Sequence, residues 1–151
     1  MIEKSIVCRR VTDLAKLLLW RKEVLETVFG MMPTQELMEA NERYYAEEIA
    51  KDGHLALEAL YNGEEAGCGA ICLQTELPSP DNPSGRCAYL MNIYVRPAFR
   101  RKGVAGNIVE TLVKKAKAFG CDKIYLETTD MARNLYLAHG FRTLPDILKL
   151  D

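Results

Sequence analysis

The sequence predicts one α/β (α+β) domain spanning residues 1–151, and three observations carry that reading. Apolar runs of strand length alternate with stretches of helical periodicity along the whole chain. Turn residues punctuate the alternation, with Gly30 and Pro33, Asp52-Gly53, Asn62-Gly63 and Gly120 at its breaks. No repeat, low-complexity run or linker interrupts it, and 151 residues at 48% hydrophobic and 27% charged suit one ordered core.

The elements follow in order. Ile6 to Val11 alternates and reads as a first strand, and Thr12 reads as the N-cap of a helix carried by Leu14, Leu17, Leu18 and Arg21 to Leu25. Thr34 caps a second helix with Leu37, Tyr44, Tyr45 and Ile49 on one side. Leu55 to Tyr61 and Ala66 to Thr75 form a hairpin, because Asn-Gly is the strongest short turn signal. Leu77 to Gly85 holds Pro78, Pro80 and Pro83 and reads as a flexible loop. Cys87 to Val95 is long and apolar enough for a central strand. Val104, Ile108, Leu112, Ala116 and Phe119 make one helical stripe, with Gly120 where a C-cap belongs. Lys123 to Thr128 is a strand, Ala132 to His139 a short helix ended by Gly140, and Phe141 opens a last strand.

Composition narrows the function. A net charge of −1 argues against a nucleic-acid binder that works by neutralising phosphates. No apolar run reaches the roughly 18 residues of a membrane span. Met1-Ile2-Glu3-Lys4-Ser5 lacks the build of a signal peptide, so a cytoplasmic location is expected. The five cysteines are scattered. Cys68 and Cys72 fall on one strand face without a second ligand pair, so no metal is expected, and the thiols read as small core residues. No His stands in sequence to suggest a thiol's partner, and His54 and His139 are given no role.

The most informative stretch is Arg100-Arg101-Lys102-Gly103-Val104-Ala105-Gly106, between the strand ending at Val95 and the strongly periodic helix. The first turn of a helix has amides without internal partners, and its dipole adds positive charge there. Gly103, Ala105 and Gly106 keep bulky side chains away from those amides, while Arg96, Arg100, Arg101 and Lys102 add formal charge. Gly106 is followed by Asn107, not the Lys-Ser/Thr of a Walker loop, and the glycine spacing departs from the dinucleotide fingerprint. The expected ligand is a pyrophosphate held without metal.

Arg100-x-x-Gly103-x-Ala105, preceded by Tyr94-Val95-Arg96-Pro97, resembles the pyrophosphate loop of the GCN5-related N-acetyltransferases, the GNAT superfamily. Ala132-x-x-x-Tyr136-x-x-x-Gly140-Phe141 resembles that family's second signature. The resemblance covers about the last 65 residues. It implies a mixed, mostly antiparallel sheet whose central parallel strands splay apart, with helices on both faces. It also implies acetyl-CoA as co-substrate, attacked directly by a small-molecule or peptide amine. No nucleic acid or membrane partner is expected, and a homodimer is compatible with the reading.

The resemblance assigns cofactor binding to backbone groups of Ile93, Tyr94 and Val95, to the loop Arg100, Arg101, Lys102, Gly103, Val104, Ala105 and Gly106, and to Thr129 and Arg133. Arg100 is read as bracing the loop more than touching the ligand. Thr129 stands where the family usually has Asn. Tyr136 is the candidate general acid, because a phenol is protonated at neutral pH and donates to a departing sulfur. Many family members place a Glu at the position of Tyr89. This strand has no carboxylate, so Asn92 is read as orienting a water or the amine, and Glu127 is the nearest alternative base. Trp20, Met31, Met32, Tyr44, Tyr45, Glu47, Glu48 and the loop Leu77 to Gly85 are the expected acceptor region. A catalytically silent CoA-binding or acyl-CoA-sensing domain is the first alternative. A protein- or DNA-binding module using the basic loop is the second.

Overall fold

The computed structural model describes residues 5–151, so Met1 to Lys4, part of the leaderless N-terminal reading, lie outside the described residues. Five strands and four helices follow in the order β1 (Ile6–Val11), α1 (Leu14–Thr27), α2 (Gln35–Ala50), β2 (His54–Tyr61), β3 (Glu64–Thr75), β4 (Arg86–Val95), α3 (Val104–Ala118), β5 (Lys123–Leu126) and α4 (Arg133–Ala138). The strands form one sheet in sequence order. β1–β2, β2–β3 and β3–β4 pair antiparallel, and β4–β5 pair parallel.

The period-2 geometry of β2 shows why helices sit on both faces. Leu55, Leu57 and Ala59 join the core under α3, with Ile108, Leu112 and Ala116 fully buried. Ala56, between them, turns the other way and packs with Val11, Leu17 and Tyr45 beneath α1 and α2. Strands covered on both sides are apolar throughout instead of alternating. Ile108 and Leu112 each contribute about 1.5–3 kcal/mol by leaving water.

Local signals set most boundaries. Thr34 Oγ1 accepts from Leu37 N at 3.1 Å at the start of α2. Asn62 and Gly63, at φ 49° and 86°, make the tight turn between β2 and β3. Four expectations are corrected. The cap of α1 is Asp13, not Thr12: its carboxylate accepts from Lys16 N and also suits the helix dipole. β5 stops at Leu126, not Thr128. Phe141 opens no strand, and residues 141–151 add nothing to the sheet. Its N–H bonds back to Tyr136 O, and Pro145 has no amide to donate to a ladder.

The fourth correction is the proline loop, which is tied down. Glu76 N donates to Gly85 O at 2.7 Å, Ser84 N donates to Asp122 Oδ2 at 2.9 Å, and Asn82 is buried. Arg86 Nη1 then donates to Phe119 O at 2.8 Å, at the end of α3. The loop therefore joins the start of β4 to the C-terminal end of α3.

A buried carboxylate fastens α1 to the sheet. Glu58, on the α1 face of β2, accepts from Arg9 Nε at 2.8 Å and Trp20 Nε1 at 3.2 Å, with Lys16 Nζ at 3.4 Å. Burial alone would raise this carboxyl, but the three donors outweigh it and hold it below the ordinary value. Glu58→Ala leaves Trp20 Nε1 without its acceptor and the two cations without theirs. The expected loss is about 2–3 kcal/mol, less than the roughly 3–5 kcal/mol of breaking a fully buried pair because Arg9 is half exposed. It is measured as a lower urea midpoint. The contribution of the ionised carboxyl is present above its unfolded value of about 4.3 and disappears as pH falls through the lower folded value. The gap between wild type and variant should therefore narrow in acid.

Candidate active site

β4 keeps its parallel neighbour for only four residues, from Cys87 opposite Lys123 to Leu90 opposite Leu126. Beyond Leu90 it runs on to Val95 while β5 has ended, so one edge of residues 91–95 has no strand beside it among the described residues. Its other edge is irregular at the same place. Cys68 pairs with Tyr94 and Ala70 with Met91, so Gly69 alone faces both Asn92 and Ile93. This is a β-bulge on β4, with Asn92 at φ 59°. A bulge bends the strand and takes its extra residue out of the ladder, leaving backbone polar groups for a ligand at the mouth of the wedge.

The chain turns from β4 into α3 through one 3-10 turn, Pro97–Phe99. Arg100 Nε donates to Val95 O at 3.0 Å, so this side chain ties the loop to the end of β4. Gly103 occupies the N-cap position at φ 84° and offers no side chain to cap the helix. The amides of Val104, Ala105 and Gly106 open the helix, where no intrahelical acceptor exists. Arg101 and Lys102 are exposed beside them. Lys102 Nζ lies over the Tyr61 ring at 5.5 Å. The site thus offers amides and nearby positive charge, the chemistry that holds a pyrophosphate.

Several neighbours have other work. Arg96, counted among the loop's cations, grips Glu23 through Nε at 2.9 Å and Nη2 at 3.0 Å and stacks over Trp20. Tyr94 turns its buried ring toward Trp20 and Val24, and Val104 packs in the core, so both offer the cleft only backbone. A Cβ on Gly106 would approach His139 Nε2 to 3.1 Å, so its missing side chain also makes room for that ring. Thr129 Oγ1 accepts from Ala132 N at 3.3 Å at the entry to α4, and Arg133 pairs with Asp130.

Tyr136 is nine-tenths buried in the α3-side core, edge-on to Phe141 at 5.9 Å. Burial raises its phenol above the ordinary value, so it stays protonated across the physiological range. Glu127, one residue past β5, sits against Tyr89. Burial first, then the neighbouring Glu127 charge, pushes the Tyr89 phenol up to about 12. The position where a strand carboxylate was missing therefore has one beside it, supplied by the segment that follows β5.

On the α1–α2 face, Asn92 enters a pocket of about 170 Å³ lined by Arg21, Asn41, Tyr44, Tyr45, His54, Cys72 and Met91. Asn92 Oδ1 accepts from Arg21 Nη1 at 2.8 Å, and Arg21 Nε donates to Asn41 Oδ1 at 3.1 Å. Of the expected acceptor region only Tyr44 and Tyr45 line it. Trp20 is buried against Glu58, Met31 and Met32 are exposed, and Glu48 pairs with Lys51. The proline loop lies at the opposite end of β4.

His54, which the sequence left without a role, is buried here. Its Nδ1 meets Tyr44 Oη at 2.8 Å and Cys72 Sγ at 3.6 Å. Nothing in the chain spacing joins positions 54 and 72; the antiparallel register of β2 and β3 places them opposite each other. Burial lowers the imidazole to about 4 and raises the Cys72 thiol. Both shifts favour the neutral pair, so Cys72 is not an activated thiolate.

Residues 20–141 match the model of the acetyltransferase (GNAT) family, and the chain belongs to that family. It is 29% identical over 115 residues to glucosamine 6-phosphate N-acetyltransferase 1 of Oryza sativa subsp. japonica, covering 74% of this chain and 68% of the rice protein. It is 30% identical over 97 residues to thialysine N-epsilon-acetyltransferase of Sus scrofa, covering 50% of this chain. The matched stretch spans 57% of the pig protein's length. A predicted acetyltransferase of Clostridium acetobutylicum, solved with acetyl-CoA, superposes with a TM-score of 0.86 at 26% identity over 97% of this chain and 96% of that one.

Acetyl-CoA should raise the melting temperature of the protein without magnesium, since ligand bound only to the folded state stabilises it by mass action. Gly103→Asp forces a side-chain residue into the φ 84° conformation and sets a negative charge against the helix amides. It should abolish the shift, as read by differential scanning fluorimetry with and without acetyl-CoA.

Proposed function

We propose that this protein transfers an acetyl group from acetyl-CoA to a primary amine by direct attack. The observation that carries the reading is the wedge beyond Leu90 and Leu126, with the β4 bulge in its wall and the uncapped α3 N-terminus at the end of the same strand. The fit is chemical at each point. The free edge of Ile93 and Val95 suits the amides of a pantetheine arm, which would add to β4 as a short strand. The amides of Val104, Ala105 and Gly106, with Arg101 and Lys102, suit its pyrophosphate. The two named relatives act, by their names, on glucosamine 6-phosphate and on thialysine, and both acceptors are amines.

Acetyl-CoA supplies the activated carbonyl and a thiolate leaving group; the chain supplies position and protons. Backbone donors at the bulge would polarise the thioester oxygen. Asn92, held by Arg21, would orient the incoming amine from the α1–α2 side. That amine must arrive neutral. Apolar walls disfavour an ammonium there, so a base of ordinary strength suffices. Glu127, beside Tyr89, is the candidate to take the proton, directly or through water. Tyr136 would protonate the departing sulfur.

Tyr136→Phe keeps the buried ring and removes only the hydroxyl. A general acid acts mainly in the transition state, so kcat should fall roughly tenfold to a thousandfold with little change in acetyl-CoA affinity. Near wild-type turnover on a good amine would remove Tyr136 from the mechanism. Direct attack also requires that Ala in place of Cys8, Cys68, Cys72, Cys87 or Cys121, one at a time, leave turnover within about tenfold once stability is matched. Trapping an acetyl-cysteine that passes its acyl group to an amine would overturn this reading. An amine-library screen that follows free-thiol release separates the enzyme from a silent acyl-CoA sensor.

A further inference from the structure

Arg21 is held differently from the paired cations of this chain. Arg9 and Lys16 meet Glu58, Arg96 meets Glu23, Lys123 meets Glu76 and Arg133 meets Asp130. Arg21, among the described residues, makes no ion pair. Its hydrogen bonds run to the neutral oxygens of Asn41 and Asn92, which fix the fork without cancelling its charge. The ring of Phe29 lies 5.8 Å from the guanidinium and leaves it cationic as well. Glu48, the acid whose charge reaches His54, is paired with Lys51 at 3.2 Å. The charge of Arg21 is felt at Tyr45, His54 and Cys72, and that of Glu48, from outside the lining, at Tyr44, His54 and Cys72, so among the described residues Arg21 is the one charge in the pocket wall itself.

The rest of that pocket is uncharged. Tyr44, Tyr45 and Met91 give apolar walls, and His54 is neutral. His54 Nε2 is buried with no hydrogen-bond partner among the described residues, an uncommon state for an imidazole nitrogen. A guanidinium has five donors in a planar fork, and two of the Arg21 nitrogens are already engaged. The donors that remain match two oxygens of one anion. The volume, about 170 Å³, is below the roughly 300 Å³ where drug-sized sites begin. It suits a compact head group.

We infer that the acceptor is a compact amine that also carries an anionic group, a carboxylate or a phosphate, and that Arg21 binds this anion beside Asn92. The inference rests on the proposed acetyl transfer and on the acceptor entering from the α1–α2 face. Arg21 Nη1 donates to Asn92 Oδ1, so the anion and the reacting nitrogen belong to one compact molecule. Arg21 is then a specificity residue: it selects the acceptor by charge and, by holding Asn92, aligns it. A protein lysine with no neighbouring anion is a poor fit.

The test compares matched acceptors: lysine with lysinamide for a carboxylate, and glucosamine 6-phosphate with glucosamine for a phosphate. Wild type should prefer the anionic member of at least one pair by tenfold or more in kcat/KM, and the better pair names the anion. In Arg21→Gln that preference should fall to within about twofold of unity. The ratio is taken within each variant, so a general loss of turnover through Asn92 cancels. Equal use of both members by wild type, or a preference that survives in Arg21→Gln, overturns the inference. Thermal stabilisation by each acceptor, without acetyl-CoA, gives a readout independent of chemistry. Stabilisation by the anionic member alone, lost in Arg21→Gln, supports the anion site even if no amine is acetylated, in which case only the transfer reaction has failed. Equal stabilisation by charged and neutral members overturns the anion site.

Discussion

β4 has two neighbours and cannot keep both. Against β3 it pairs along nearly its whole length, and against β5 for four residues, from Cys87 to Leu90. The bulge at Asn92 changes its direction and twist just past the point where β5 is lost. Three of the candidate features adjoin that divergence. The free edge runs through Ile93 to Val95, the basic loop begins at its end, and Asn92 reaches through to the α1–α2 face. A regular, fully paired β4 would be a better strand, and it would leave no place for a ligand.

Much of the architecture was legible because it depends on local chemistry. Asn62-Gly63 forms its turn through backbone preference at those two residues, and Thr34 caps α2 with its own hydroxyl. The stripe Val104, Ile108, Leu112 and Ala116 is buried as its spacing requires. The basic loop was legible for the same reason, since an uncapped helix start and Gly103 are local features. Where local preference met a tertiary demand, the reading failed. Phe141 looks like the start of a strand, but it has packed against Tyr136 and no sheet edge takes it up. Three prolines suggest a loose loop, yet Asn82 and Asp122 anchor it.

The site divides along the same line. Arg96 sits in the basic cluster by sequence, and only the fold shows that its charge belongs to Glu23. Asn92 was singled out for its amide, but its φ of 59° and its bond to Arg21, 71 positions away, depend on the register between β3 and β4 and on the docking of α1. His54 had no signal. A lone histidine at the start of a strand becomes part of a pocket only when Tyr44 and Cys72 arrive from two other elements.

The strap between the proline loop and α3 has a consequence for binding thermodynamics. Ser84 and Arg86 fix the C-terminal end of α3 to the start of β4, while Arg100 fixes the loop before α3 to the end of the same strand. The helix is tied to one strand at both ends and has little freedom to slide or tilt along it. Its opening amides are therefore already aimed before any anion arrives. Ordering a loop on binding consumes part of the interaction free energy as lost conformational entropy. Here both ends of α3 are fixed when the chain folds, so an anion at its start would meet amides already in place.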